Sequence, residues 1–379
     1  MRAHEEPDFP LDPDVVPLNH ASFGVPTTAL MAQADRVRRR IERDAAHYLA
    51  GPLLDELRAQ AAALATFVGA RPDSLAVVAN STEASSSVAA SLARDRAARV
   101  VLLDSEYSSV IRAWQVACTA SGGEVRLVSV PLPVASVAEV LAAFDAQVEG
   151  DFDFLVVSLI ASSTAVRLPV LHLARWAATR GARTVVDAAH GAGHVELCVA
   201  NLDAAIVFGT LHKWLPVPRP VGFLWTSDEY RDLVRPASVA LRWDDSLLER
   251  FTWRGTWDPA AALCLIDAVA QWQRWEDEGA HARAAELADH AAQRLGALGF
   301  VPTATQDLLA PRLRSFIVPG RRADELGAVL GEADVRAWVG TAASGETLLR
   351  IATHVYTTDS HIDRLVDALS SAVRAKVSR

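Results

Sequence analysis

The stretch TVVDAAHGAGHVELCVANLDAAIVFGTLHKWLPVPRPVGFLW, residues 184–225, decides the fold. It holds three apolar runs, TVVD (184–187), AAIVF (204–208) and VGFLW (221–225), separated by small, polar and proline-bearing connections. None alternates polar with apolar residues, so each predicts a strand buried on both faces of a mostly parallel sheet. Toward the N-terminus the pattern repeats in LAVVA (75–79), VVLL (100–103), VRLVSV (125–130) and FLVVSLI (154–160). Helical stretches begin near Thr82 and cover 109–121 and 171–180. Seven interrupted runs of this kind predict an α/β unit with a seven-stranded sheet flanked by helices.

The pattern changes after Pro259. Residues 260–297 predict one or two helices, followed by strands at RLRSFIV (312–318) and LLRIAT (348–353). A last helix starts at the capping pair Thr358-Asp359. The expected organisation is therefore a large domain over 46–258 and a smaller α+β domain over 259–379. An N-terminal arm and helix, 1–45, is expected to pack with the smaller domain. Residues 131–137 (PLPVASV) are expected to be a surface connection.

Composition narrows the function. The 379 residues carry 37 Lys+Arg and 46 Asp+Glu, a formal charge of −9, and 51% are hydrophobic. Such a chain can bury a large core. Its acidic balance opposes non-specific nucleic-acid binding, which rests on Lys and Arg neutralising phosphates. Cys118, Cys198 and Cys264 form no CxxC pair and no zinc-ligand spacing, which suits a reducing, cytoplasmic setting. The opening MRAHEEPDFPLDPDVVP has no apolar core of a signal peptide, and no run of about 18 apolar residues predicts a membrane span.

Four motifs fall at strand ends, where open α/β sheets bind ligands. Asp187 closes a buried strand in VDAAHGAGH, with His190 three residues on; a carboxylate there calls for a cationic partner, or else is a helix cap or a Mg²⁺ ligand. Lys213, between His212 and Trp214, follows an apolar strand; a lone lysine is usually solvated, but desolvation here would favour the neutral amine of a Schiff-base lysine. Asn80-Ser81-Thr82-Glu83 joins a strand to a helix, giving either a phosphate site or an ordinary Ser/Thr cap. Arg350 lies in the apolar run LLRIAT, where its partner is a substrate carboxylate or a structural acid.

Phosphate cradle, strand-end Asp, lysine and carboxylate-reading Arg together suit pyridoxal phosphate (PLP) acting on an amino acid. The sequence resembles the class V aminotransferase group of fold-type I PLP enzymes, within it the isopenicillin N epimerase-like branch. The resemblance is carried by LNHASFG (18–24), EYSS (106–109), VDAAHGAG (186–193), GTLHKWL (209–215), RGTWDP (254–259) and LRIATHVYTT (349–358). It implies that Lys213 carries PLP as a Schiff base and shuttles the Cα proton, and that Asp187 pairs with the pyridinium nitrogen. It further implies His190 beside the ring's phenolic oxygen and Tyr107 stacked on the ring. Ser81, Thr82, Glu83, Thr210 and His212 would make up the phosphate side. Thr256 would reach the phosphate of the neighbouring subunit's cofactor, making a homodimer with shared active sites. Asn19, His20 and Ser22 would border the substrate, and Arg350 would clamp its α-carboxylate.

The sequence departs from the family pattern in informative places. Cysteine desulfurases of this class use a nucleophilic Cys shortly before the Arg350-type strand. Here VRAWVGTAASGETLLR (335–350) has none. Thr357 stands at a usual Asn position, Ser163 at a common Pro and Leu159 at a common His. Trp243, Trp253, Trp257 and Trp338 are candidates for shaping an apolar pocket or for packing at a dimer interface. A lyase (C–S lyase or other β-eliminase) or an epimerase is expected ahead of an aminotransferase; an inactive PLP-fold binding protein is the other alternative. No GxGxxG follows the first strand and no GxxxxGK[ST] occurs, which opposes nucleotide binding.

Overall fold

The computed structural model describes residues 9–377, with side chains to residue 371. The seven apolar runs form one sheet from strands Leu75–Val78, Arg99–Leu103, Glu124–Val128, Phe154–Ser158, Arg183–Asp187, Ile206–Thr210 and Gly222–Thr226. Counted in that sequence, they lie side by side as 1-7-6-5-4-2-3. Strands 2 to 6 are parallel; strand 7 is antiparallel to both strand 6 and strand 1. The link from Thr210 to Gly222 carries no crossover helix, so strand 7 can only return antiparallel.

Burial on both faces explains why the strands lack polar alternation. Val77, Val101, Leu155, Val157, Val186 and Val207 enter one core cluster, and Ala76, Val100, Leu102, Val156, Val185 and Phe208 enter a second. Each residue's pleat neighbour thus faces an equally dry layer of helices.

After Pro259 come the helices Leu265–Asp277 and Ala280–Ala297, split at Gly279, whose φ of +74° a side chain would resist. A four-stranded antiparallel sheet follows, in the order Trp338–Thr341, Thr347–Ala352, Leu313–Ile317, Val301–Pro302, closed by the helix Asp359–Val377. Phe316, Leu349, Ile351 and Leu365 lie in its own core. The N-terminal segment divides between the two cores. Its first eight residues lie outside the described ones. Val16–Pro17 pairs with Val335–Arg336, and Asn19 bridges Ala352, so the arm joins the smaller unit. The helix Thr28–Glu42, expected to pack with the smaller unit, instead buries Leu30, Ala34 and Ile41 in the large core. Residues 131–137 are also more than a surface link: Val134 is buried, and its N–H donates to the Thr303 carbonyl at 2.8 Å. Among the described residues, no helix is long and apolar enough to cross a membrane.

Candidate active site

The carboxyl ends of the strands bring the charges together. Asp187 ends strand 5 and is 3% exposed; its Oδ1 accepts the Ala189 N–H at 2.8 Å. Burial pushes its carboxyl up to about 6, while the Ala189 N–H, the Lys213 charge and the Ser81 hydroxyl pull the other way. Lys213 lies in the turn after strand 6. Burial brings its ammonium down to about 8; Asp187 opposes that shift and Arg350 adds to it. Its Nζ lies 3.4 Å from His190 Nε2 and 6.0 Å from the centre of the Tyr107 ring. Among the described residues, no group of three or more His, Cys, Asp or Glu is gathered to hold a metal ion.

Gly24 sets how close the N-terminal arm comes to this lysine. With φ at +66°, a Cβ there would lie 1.7 Å from the His212 carbonyl oxygen and 3.1 Å from Lys213 Cα. Only glycine allows LNHASFG to seat against the lysine turn. His212 accepts the Val221 N–H at its Nδ1, 3.1 Å away, which braces the same turn from the other side.

At the start of the helix Ser81–Ala93, Asn80 is the N-cap, its Oδ1 accepting the Glu83 N–H at 3.0 Å. The hydroxyls of Ser81 and Thr82 are therefore free of capping duty. Ser81 N donates to Thr210 Oγ1 at 3.1 Å, and Thr210 Oγ1 donates to Ser81 Oγ at 3.0 Å; Thr82 is exposed beside them. These hydroxyls lie at the positive end of the helix dipole, where an anion would be favoured. Glu83 departs from the expected phosphate side. Its Oε2 accepts the Ala79 N–H at 2.6 Å and pairs with Arg254, and a carboxylate aimed at a phosphate would repel it.

Arg350 is 3% exposed, yet no carboxylate among the described residues pairs with it. Its Nη1 donates to the Ser162 carbonyl and hydroxyl; its Nη2 donates to Asn19 Oδ1 at 3.2 Å and Ser22 Oγ at 2.8 Å. The guanidinium lies 5.1 Å from the centre of the Trp338 ring. The structural-acid alternative for this arginine is thereby removed. His20 is turned away from Asn19 and Ser22. It is buried, with Nδ1 2.8 Å from the Tyr356 hydroxyl and its ring stacked 3.8 Å from His354. Thr256 is exposed.

A cleft of about 660 Å³ opens beside these groups, lined by Glu106, Tyr107, Ser162, Ser163, Trp338 and the turn 341–346 among others. Tyr107 is 46% exposed there, an aromatic face left bare in front of Lys213. Of the four tryptophans, Trp338 reaches this cleft, while Trp257 lies under Arg254 with its Nε1 donating to the Thr252 carbonyl.

Several residues escaped the sequence reading. Glu106, one place before Tyr107, is buried; its Oε1 accepts the Ser158 N–H at 2.8 Å and its Oε2 the Ser158 hydroxyl. Burial, reinforced by Asp187, pushes it up to about 8 despite those bonds. An acid three residues past the end of an apolar strand was the available signal. Trp214, His194, His281, Arg312 and His354 form an aromatic and cationic layer behind the lysine, and their spacing in sequence gave no hint of it.

Residues 30–365 match the family model described as aminotransferase class-V. The chain is 29% identical to an isopenicillin N epimerase of Streptomyces clavuligerus, over 95% of this chain and 96% of that one. It is 30% identical to an isopenicillin N epimerase of Amycolatopsis lactamdurans, over 95% of both. A probable L-cysteine desulfhydrase of Arabidopsis thaliana is 26% identical over 70% of this chain and 60% of its own length. Among solved structures, the apo cysteine desulfurase of Thermococcus onnurineus NA1 superposes with a TM-score of 0.82, covering 99% of both chains at 20% identity, a likeness of fold.

Proposed function

The chain belongs to the aminotransferase class-V family of PLP-dependent enzymes, and we propose that it acts at Cα and Cβ of an amino acid as an epimerase or a C–S lyase. One observation carries this reading: a buried arginine without an acid partner among the described residues bonds Ser162, Lys213 Nζ lies 6.0 Å from the centre of the bare Tyr107 ring, and Ser162 and Tyr107 line one cleft.

The residues fit the cofactor. Lys213 would hold the cofactor by its aldehyde, Asp187 would keep a proton at its ring nitrogen, and Tyr107 would cover its ring. Ser81, Thr82 and Thr210 would hold its phosphate, with Thr256 of a second subunit. When bound, PLP supplies a sink for the electron pair left at Cα.

The protein's own groups do the rest. Arg350 binds the α-carboxylate through the fork that now faces Asn19 and Ser22, which fixes the orientation of Cα. With its pKa near 8, Lys213 is an amine able to take the Cα proton and to return it near neutral pH. Return to the opposite face inverts the configuration, and a departing β-sulfur breaks the C–S bond instead. Tyr107, exposed in the cleft in front of Lys213, is the candidate for the opposite-face acid.

Desulfurase chemistry of the cysteine-nucleophile type is disfavoured. The turn 341–346 lines the cleft without a thiol, and Cys118, Cys198 and Cys264 are all absent from the lining. Three unpaired cysteines suit a reducing cytoplasm, and the exposed Thr256 suits a homodimer.

The test is incubation of the holoenzyme with an amino-acid panel in D₂O. Deuterium at Cα with inverted configuration identifies an epimerase, and a keto acid with released sulfide or thiol identifies a lyase. Accumulated pyridoxamine phosphate would overturn both in favour of transamination, and no exchange with any amino acid would overturn the enzyme reading.

A further inference from the structure

Trp214 follows Lys213 directly and is fully buried, which by itself marks only core packing. Its indole nitrogen tells more. Nε1–H is a donor and never an acceptor, and it lies 3.2 Å from His190 Nδ1. Nδ1 must therefore carry the lone pair, which leaves the proton of a neutral His190 on Nε2. Nε2 is the atom 3.4 Å from Lys213 Nζ.

We propose that Trp214 is a positioning residue that locks His190 as the Nε2–H tautomer, so that His190 meets Lys213 as a hydrogen-bond donor and not as a base.

The surroundings support the lock. His194 stacks on Trp214 at 3.7 Å and 14°, with its own Nδ1–H donating to the His190 carbonyl at 3.1 Å. His194 Nε2 in turn accepts the Arg312 N–H at 3.1 Å, which fixes the second ring in the complementary tautomer. The Arg312 guanidinium lies 5.0 Å from the centre of the Trp214 ring and is buried, with no ion pair to an acid among the described residues. A cation over the indole face holds the ring in place and polarises its N–H outward. The charged groups facing His190 are Lys213 and Arg350, with His194 beside them; burial and these charges keep the imidazole neutral. A neutral donor in front of Lys213 favours the free amine, whereas an Nε2 lone pair there would favour the ammonium.

This inference extends the lysine chemistry above but is tested on the cofactor-free protein, so either can fail alone. Long-range ¹H–¹⁵N correlation on histidine-labelled protein, with His190→Gln to assign the signal, reads the tautomer in the wild type. The expected result is the Nε2–H form of His190, unchanged from pH 6 to 9. Trp214→Phe keeps a ring and removes the donor. It should turn His190 to a mixture of tautomers and raise the Lys213 proton affinity about tenfold, read from the pH dependence of its acylation rate. A wild-type His190 that carries its proton on Nδ1 overturns the proposal without any variant. So does a folded Trp214→Phe protein with an unchanged tautomer and an unchanged Lys213 midpoint.

Discussion

Replacing Arg350 by methionine separates a residue kept for a ligand from one kept for the fold. Burial lowers the guanidinium from 12.5 to about 10, so its charge carries a penalty of about 3 kcal/mol at ~1.4 kcal/mol per unit. The folded state binds this proton more weakly than the unfolded chain does, so the penalty is fully present at every pH below about 10. Against it stand the hydrogen bonds to Ser162, Asn19 and Ser22, each contributing about 1 kcal/mol net. The terms nearly cancel, and Arg350→Met should unfold within about 2 kcal/mol of wild type, a shift of a few degrees. Catalysis should behave otherwise. Losing a buried charge-assisted pair with a carboxylate costs about 3–4 kcal/mol, or roughly 10²–10³-fold in kcat/KM. The assay is Cα hydrogen–deuterium exchange of an L-amino acid and of its carboxamide, with both proteins. Wild type should prefer the acid by about two orders of magnitude or more, and Arg350→Met should hardly distinguish them. A variant that keeps the preference refutes the carboxylate role. A variant that melts about 10 °C lower with the preference intact shows that the arginine serves the fold.

Three other outcomes follow from the same geometry. Wild-type protein with PLP should show a near-visible band that borohydride bleaches, and Lys213→Ala should give no borohydride-fixed adduct; a fixed adduct in the variant would place the Schiff base on another amine. Glu106 has its folded value raised from 4.5 to about 8, so the folded state holds this proton more tightly and wild-type stability falls as pH rises between those values. Glu106→Gln should therefore gain up to about 4–5 kcal/mol over wild type by pH 8 in cofactor-free protein, with the gain vanishing near pH 4; denaturant titrations at both pH values check it. Thr256→Ala should weaken PLP binding about tenfold by equilibrium dialysis, as loss of one hydrogen bond to a charged group requires, while leaving a dimer in sedimentation; unchanged affinity removes Thr256 from the cofactor site.

The strands were legible because burial on both faces leaves an unbroken apolar run, and Val156 or Val186 can be read without knowing its neighbours. The arm was harder. Val16–Pro17 pairs over two residues only, and no periodicity exists at that length. The helix Pro52–Phe67 was passed over because its alanines blur the contrast between buried and exposed faces. In the site, Asp187, Lys213 and Arg350 stood out as charges set within apolar runs, since such charges are rare without a partner. Glu83 was placed on the phosphate side by its position in the motif, while its carboxylate engages the Ala79 N–H and Arg254, partners that the sequence spacing does not reveal. His20 shares a motif with Asn19 and Ser22 but turns to the opposite side of a short helix, which adjacency in sequence does not reveal.

The strongest sign that this is a working site is how badly its charges are matched in the free chain. Folding normally leaves a buried charge beside its opposite or neutralises it. Here burial raises Asp187 and Glu106 and lowers Lys213 and Arg350, and the Asp187 charge raises Glu106 further. A fold under selection for stability alone gains almost nothing from Arg350, because its hydrogen bonds only offset the burial penalty and no carboxylate among the described residues answers its charge. A ligand bringing a carboxylate to Arg350, a ring to Tyr107 and a basic nitrogen to Asp187 would answer these charges together. The arrangement is thus complementary to an amino acid held on an aromatic, nitrogen-bearing cofactor, and the energy withheld from folding is available for binding.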